Sequence, residues 1–76
     1  MKTFIVVVMN QRCEILMFKT ESIDKYLLYN ADRTVSKSLS DKMLKDTYLF
    51  GGYNREQIAN CKVLIAEELK NEIATI

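Results

Sequence analysis

The stretch NREQIANCKVLIAEELKNEI, residues 54–73, is the longest patterned segment of the chain, and its reading decides the fold. Asn54 and Gln57 form a plausible capping pair, and Ile58, Cys61, Ile65, Leu69 and Ile73 follow at spacings of three and four. This pattern predicts a helix of about 20 residues, an amphipathic element of several turns. Its opposite side carries Arg55, Lys62, Glu67, Lys70 and Asn71, a solvated face that needs no functional explanation. Val63 and Leu64 widen the apolar arc, so the helix is expected to touch both a sheet and a second helix.

The sheet is expected at the other end of the chain. In TFIVVVMNQRCEILMFKT, residues 3–20, two runs rich in Val, Ile, Phe and Met flank a few polar residues. They predict a β-hairpin with strands over 3–9 and 13–19 and Asn10-Gln11 at the turn. Asn-Gln is a weaker turn than Asn-Gly, because type I′ geometry needs positive φ at both central positions, so the loop length stays open between two and three residues. Alternation puts Cys13, Ile15 and Met17 on one face and Glu14, Leu16 and Phe18 on the other. The face with Cys13, Ile15 and Met17 is expected to be the core side.

Between these ends, TESIDKYLLYN (20–30) reads as a short helix capped by Thr20 or Ser22, with Ile23, Tyr26, Leu27 and Tyr29 as its apolar stripe. ADRTVSKSLS (31–40) is polar and reads as a connector. SDKMLKDTYLFGG (40–52) gives a further helix with Ser40 as N-cap, and Gly51-Gly52 is expected to end it in the left-handed conformation. Residues 47–50 could instead form a third strand, with helix favoured. The fold class is therefore α+β in a single domain spanning 1–76: an N-terminal antiparallel hairpin, two or three helices, and a long C-terminal amphipathic helix.

Composition excludes more functions than it suggests. The chain has no histidine, which removes Ser-His and Cys-His nucleophile pairs, an imidazole base and His metal ligands. Its two glycines are adjacent, so a phosphate-cradling loop of the P-loop or dinucleotide kind cannot be built. Acidic residues lie one or two at a time in polar stretches, and Glu14, the exception, is expected at a solvent-facing or edge position. Cys13 and Cys61 stand 48 positions apart without a CxxC pair and are expected to be buried, reduced thiols. No catalytic residue, cofactor or metal site is expected, and the chain is read as a non-enzyme.

Eleven Lys and Arg against ten Asp and Glu give no bulk field toward nucleic acid or an anionic membrane. The longest unbroken apolar run, Phe4–Met9, is far below the roughly 20 residues that span a bilayer. No signal-peptide pattern accompanies it, so a cytoplasmic location is expected.

The hairpin faces then pose the functional question. Helices can cover one side of a two-stranded sheet but not both, and a lone hairpin is marginal in water. Leu16 and Phe18 are left over, together with Ile5 and Val7 or with Phe4 and Val6 according to register. Burying four such side chains is worth about 6–10 kcal/mol, so the expected cover is a partner: a second copy, or another protein. A second candidate contact lies in YLFGGYNR (48–55), where Tyr48, Phe50, Tyr53 and Arg55 are the residue types of interface hot spots. The competing reading makes Tyr48 and Phe50 helix-face core and Tyr53 a staple. Arg33, Lys37, Lys42 and Lys45 make a locally basic stretch that could touch phosphates, although a solvated connector explains it equally well.

By type and not by any motif, a compact chain of this size without proline or histidine looks like the small accessory proteins of bacteriophages and mobile elements, many of which bind and block a host protein. The expected function is thus a protein-protein interaction module, an inhibitor or adaptor. The alternatives are a small nucleic-acid-binding regulator, which the charge balance disfavours, and a homo-oligomeric structural subunit.

Overall fold

The computed structural model describes residues 1–70. Strand β1 (Lys2–Met9) pairs antiparallel with β2 (Ile15–Ser22) and, along its other edge, with β3 (Lys62–Glu68), giving the order β2-β1-β3. Helices α1 (Lys37–Lys45), α2 (Thr47–Phe50) and α3 (Arg55–Ala59) lie between β2 and β3 in sequence, after a single 3-10 turn at Lys25–Leu27. The α+β class is as expected, with a hairpin first.

The long C-terminal helix is not formed. Asn54 does cap a helix: it accepts from Gln57 N at 2.8 Å, while the Gln57 side chain accepts from Asn54 N at 2.9 Å. That helix, α3, stops after five residues, where Cys61 N donates to Ile58 O. The chain then runs as β3, and the physical reason lies in β1. A buried strand with a partner on one edge alone leaves half its amides and carbonyls unpaired. Residues 62–68 satisfy that second edge, an obligation that outweighs side-chain periodicity. A bulge between Val7 and Val8 admits one extra β3 residue, so Val63 and Ala66 both reach the core although they are three apart. That spacing of three mimics a helical stripe. Leu69 lies just beyond β3, its N–H donating to Thr3 O, and Ile73 and Asn71 of the expected helix lie outside the described residues.

The hairpin register pairs Val6 with Phe18 and Val8 with Leu16, and it reverses the expected faces. Phe4, Val6, Val8 and Phe18 are buried with Leu16 packed against them, whereas Ile15 and Met17 are 56% and 66% exposed. The cause is the far end of β2. Lys19 and Glu21 share the face of Ile15 and Met17, and two charges cannot go under the helices, so the other face turns inward.

The connection is also longer than two or three residues. Asn10 N donates to Glu14 O, and Cys13 N donates to Asn10 O. Cys13 has φ 62 and is exposed, in the turn and not in a strand, so only Cys61 of the two thiols is buried.

The middle of the chain differs in smaller ways. Residues 20–22 belong to β2, and the expected helix is reduced to the 3-10 turn, capped by Asp24. Ile23, Tyr26 and Leu27 are exposed, while Leu28 enters the core. Helix α1 starts in the expected connector, with the Ser36 side chain accepting from Leu39 N, so Ser40 sits inside the helix and not at its cap. Residues 47–50 are helical, as favoured. Neither glycine has positive φ. Gly51 is required by space instead, since a Cβ there would strike the carbonyl of Thr47.

The core sits between the inner sheet face and the helices. Leu39 and Met43 from α1, Phe50 from α2 and Ile58 from α3 pack with Phe4, Val6, Val8, Phe18, Leu28, Val35, Cys61 and Val63.

Candidate protein-contact face

The three described helices lie on one side of the sheet, so among the described residues no element covers the outer face. Backbone alternation sets its composition. On β1 it shows Thr3, Ile5, Val7 and Met9; on β2, Ile15, Met17, Lys19 and Glu21; on β3, Lys62, Ile65 and Glu67, with Leu64 beside them at the bulge.

Because the strands are in register, the face is built of rows running across the sheet. Met17, Val7 and Ile65 form the central row, and the next row is Lys19, Ile5 and Glu67. The first is wholly apolar. The second holds a cation at one edge, an anion at the other and isoleucine between. Met17, Ile65 and Leu64 are 66%, 44% and 43% exposed.

The two sheet edges are unlike. Thr3 O accepts from Leu69 N, so the odd residues of β1 face β3 and the even ones face β2. The odd residues of β2, Ile15 to Glu21, therefore direct their backbone groups away from the sheet, and Glu21 O is met by Lys42 Nζ. On the β3 side the edge is sealed over its first half. Val63 N donates to Arg33 O, Val35 N donates to Cys61 O, and the Arg33 guanidinium donates to the carbonyls of Val63 (3.1 Å) and Leu64 (2.9 Å). Arg33 itself takes φ 71 and stacks on Tyr29 at 4.4 Å.

The residues expected to meet a partner are dispersed. Phe18 and Phe50 are interior, packed edge to face with centroids 5.4 Å apart, and Leu16 lines the same core. They are therefore not available on the folded surface, which corrects the assignment of the hairpin faces. Tyr53 packs on Phe50 and accepts a hydrogen bond from Asn10 Nδ2 at 2.9 Å, a strut between the helices and the hairpin turn. Tyr48 is 93% exposed. Arg55 forms an exposed ion pair with Asp41 at 3.1 Å, on the helical side of the molecule.

Sequence reasoning missed Ile15, Met17, Leu64 and Ile65 as surface residues. The signal was present for β2, where counting by twos from Met17 reaches Lys19 and Glu21. For β3 the helical spacing concealed it.

Among the described residues, no cluster of three or more Cys, Asp or Glu side chains could hold a metal ion, and no helix is long and apolar enough to cross a membrane. Burial raises the pKa of the Cys61 thiol, which disfavours the thiolate. Comparison of the chain with protein-family models, curated proteins and solved structures finds no match.

Proposed function

We propose that this chain works by protein contact, as a small inhibitor or adaptor that binds another protein or a second copy of itself, and that the open sheet face is its contact surface. The observation that carries the reading is the row Met17–Val7–Ile65 with Leu64 and Ile15 around it: adjoining apolar side chains left in water on a rigid sheet. Contiguous patches of this kind, rimmed by polar residues, are characteristic of interaction sites. The chain has no histidine to form a Ser-His or Cys-His pair, and burial raises the pKa of the Cys61 thiol, which supports binding over catalysis.

Nucleic acid is a weaker alternative. Of the four cations in the basic stretch, Arg33 is engaged with two backbone carbonyls and Lys42 with a third, leaving Lys37 and Lys45 for phosphate. Neutralising Lys37, Lys42 and Lys45 together is expected to leave function intact. Salt-sensitive DNA or RNA binding that disappears in that variant would reverse the order of the two readings.

The test of the contact surface is Met17→Lys. A lysine is tolerated at this position in the free chain but cannot be desolvated without a partner at an interface. The variant should keep its circular dichroism spectrum and lose the protein that co-purifies with the tagged wild type, or lose mass in light scattering. A folded variant with the same co-purifying protein and the same mass would sink the proposal.

A further inference from the structure

The methionines of the chain occupy contrasting settings, and one of them stands in the central row of the outer face. Met43 is wholly buried in the core, Met9 is half-buried at the end of β1, Met17 is 66% exposed beside Val7, and Met1 is 87% exposed outside these rows. We infer that Met17 is a reversible oxidation site, at which peroxide turns the thioether into a sulfoxide and thereby takes the face out of use for binding. The effect on binding rests on the contact-surface reading, whereas the reactivity of Met17 does not.

Met17 belongs to the edge strand β2, and with Ile5, Phe18 and Lys19 it lines a surface cavity of about 160 Å³. Hydrogen peroxide therefore reaches it without any opening of the fold, while Met43 is reached only on unfolding. The step is a two-electron oxidation of sulfur. A sulfur lone pair attacks one peroxide oxygen, and an S–O bond forms as the O–O bond breaks. The proton on the transferred oxygen passes to the departing hydroxide, which leaves as water. A methionine sulfoxide reductase reverses the change, drawing two electrons from a thiol pair that becomes a disulfide and releasing the oxygen as water.

The surroundings decide what the new oxygen does. A sulfoxide is polar and accepts hydrogen bonds, whereas the thioether behaves as an apolar side chain. Across the strands Met17 faces Val7 and, beyond it, Ile65, so the side chains of the central row offer that oxygen no donor. Lys19, in the adjoining row, carries the ammonium and is exposed. In the free chain water satisfies the sulfoxide. Beneath a partner it is desolvated without a hydrogen bond, which is the penalty of any buried unpaired polar group. Met17 takes no part in the core, so oxidation leaves the fold standing and changes the face alone.

Peptide mapping by mass spectrometry after graded doses of hydrogen peroxide measures the reactivity. In the native protein Met17 should oxidise nearly as fast as Met1 and at least about tenfold faster than Met43, because susceptibility follows exposure. Protein oxidised at Met17 should keep its circular dichroism spectrum and elute earlier from a phenyl hydrophobic-interaction column. It should bind the protein that co-purifies with the tagged wild type about tenfold less tightly or worse. Treatment with both sulfoxide reductases, one for each epimer, should restore retention and binding. Met17→Leu keeps the face apolar and removes the sulfur, so it should bind as the wild type does and go on binding after the same dose of peroxide. Loss of binding by peroxide-treated Met17→Leu would assign the effect to another group, such as the exposed Cys13 thiol, and overturn the inference. A Met17 no more reactive than Met43, or a protein oxidised at Met17 that binds undiminished, would overturn it as well. Met17→Lys tells the two readings apart: if it too binds undiminished, the contact surface has failed, and if it loses the partner while the sulfoxide does not, the oxidation site alone has failed.

Discussion

The side-chain amide of Asn10 donates to the hydroxyl of Tyr53 at 2.9 Å, joining the tip of the hairpin to the segment between α2 and α3 across 43 positions of sequence. Asn10 is 5% exposed, and the same side chain does three further things. Its oxygen accepts from the amides of Arg12 and Glu14, and its nitrogen donates to Glu14 Oε1 at 2.8 Å. One buried residue thus holds the turn in shape and docks it.

Asn10→Ala is expected to cost about 1–3 kcal/mol, because it strips partners from two turn amides and from Tyr53. Urea denaturation measures the loss. A double-mutant cycle with Tyr53→Phe should give a coupling energy above about 0.5 kcal/mol, the lower bound for residues in one network. Strict additivity would mean that the two residues act independently.

Phe18 and Phe50 form the central edge-to-face pair of the core, at an interplanar angle of 84°. Truncating either to Ala should destabilise the fold by about 3–5 kcal/mol. Phe18→Lys should unfold it outright, in contrast to Met17→Lys one position away. Circular dichroism of the two lysine variants side by side separates the inner face from the outer one. Two folded variants would contradict the register of β2.

The two thiols should behave differently. Cys13 lies exposed in the turn, and a thiol-specific reagent should label it in the native protein, whereas Cys61 should react only on unfolding. Because Cys13 holds φ 62, Cys13→Gly should be neutral or stabilising by up to about 1 kcal/mol, as glycine takes that conformation without steric cost. A marked loss of stability would show that the thiol itself contributes to the turn.

Among the described carboxylates, Asp32 has a pKa below the ordinary value of 3.8. The side-chain hydrogen bond from Thr34 is the largest cause, followed by the bond from the Thr34 amide. Both favour the charged form in the folded state. The contribution is therefore present above the unfolded value and is lost as pH falls through the lower folded one, in strongly acidic solution. NMR titration should place Asp32 below an ordinary aspartate, and Thr34→Val should bring it upward. An unchanged titration in Thr34→Val would remove the hydroxyl as the cause.

How much of this was legible in the sequence varies with the kind of signal. The hairpin, the capping pair of Asn54 and Gln57, and the helical character of 47–50 depend on neighbours in sequence and could be read there. The identity of β3 depended on a demand raised more than 50 residues earlier, the unpaired edge of β1, while its own buried residues, Val63 and Ala66, kept a spacing of three compatible with helix. The surplus apolar face was expected from the two-sided runs, and one does exist. Ile5 and Val7 belong to it, but Leu16 and Phe18 belong to the core, because the turn is longer and the charges at Lys19 and Glu21 fix which side of β2 stays wet.

The seal that Arg33 places on β3 also governs how many chains can join by strand pairing. A sheet with two free edges behaves as a monomer with two reactive ends and can polymerise without limit. Here the first half of β3 is closed by residues 33–35, and beyond it the edge is interrupted by the bulge at Leu64 and guarded by Glu67 and Glu68. Among the described residues only β2 offers a long, regular edge. The chain is in that respect monofunctional: one pairing event through β2 consumes its capacity for strand addition, and growth stops at two. Arg33→Ala would free the carbonyls of Val63 and Leu64 but keep the backbone pairing of residues 33–35 with β3, so the variant should stay as clear of fibres as the parent protein.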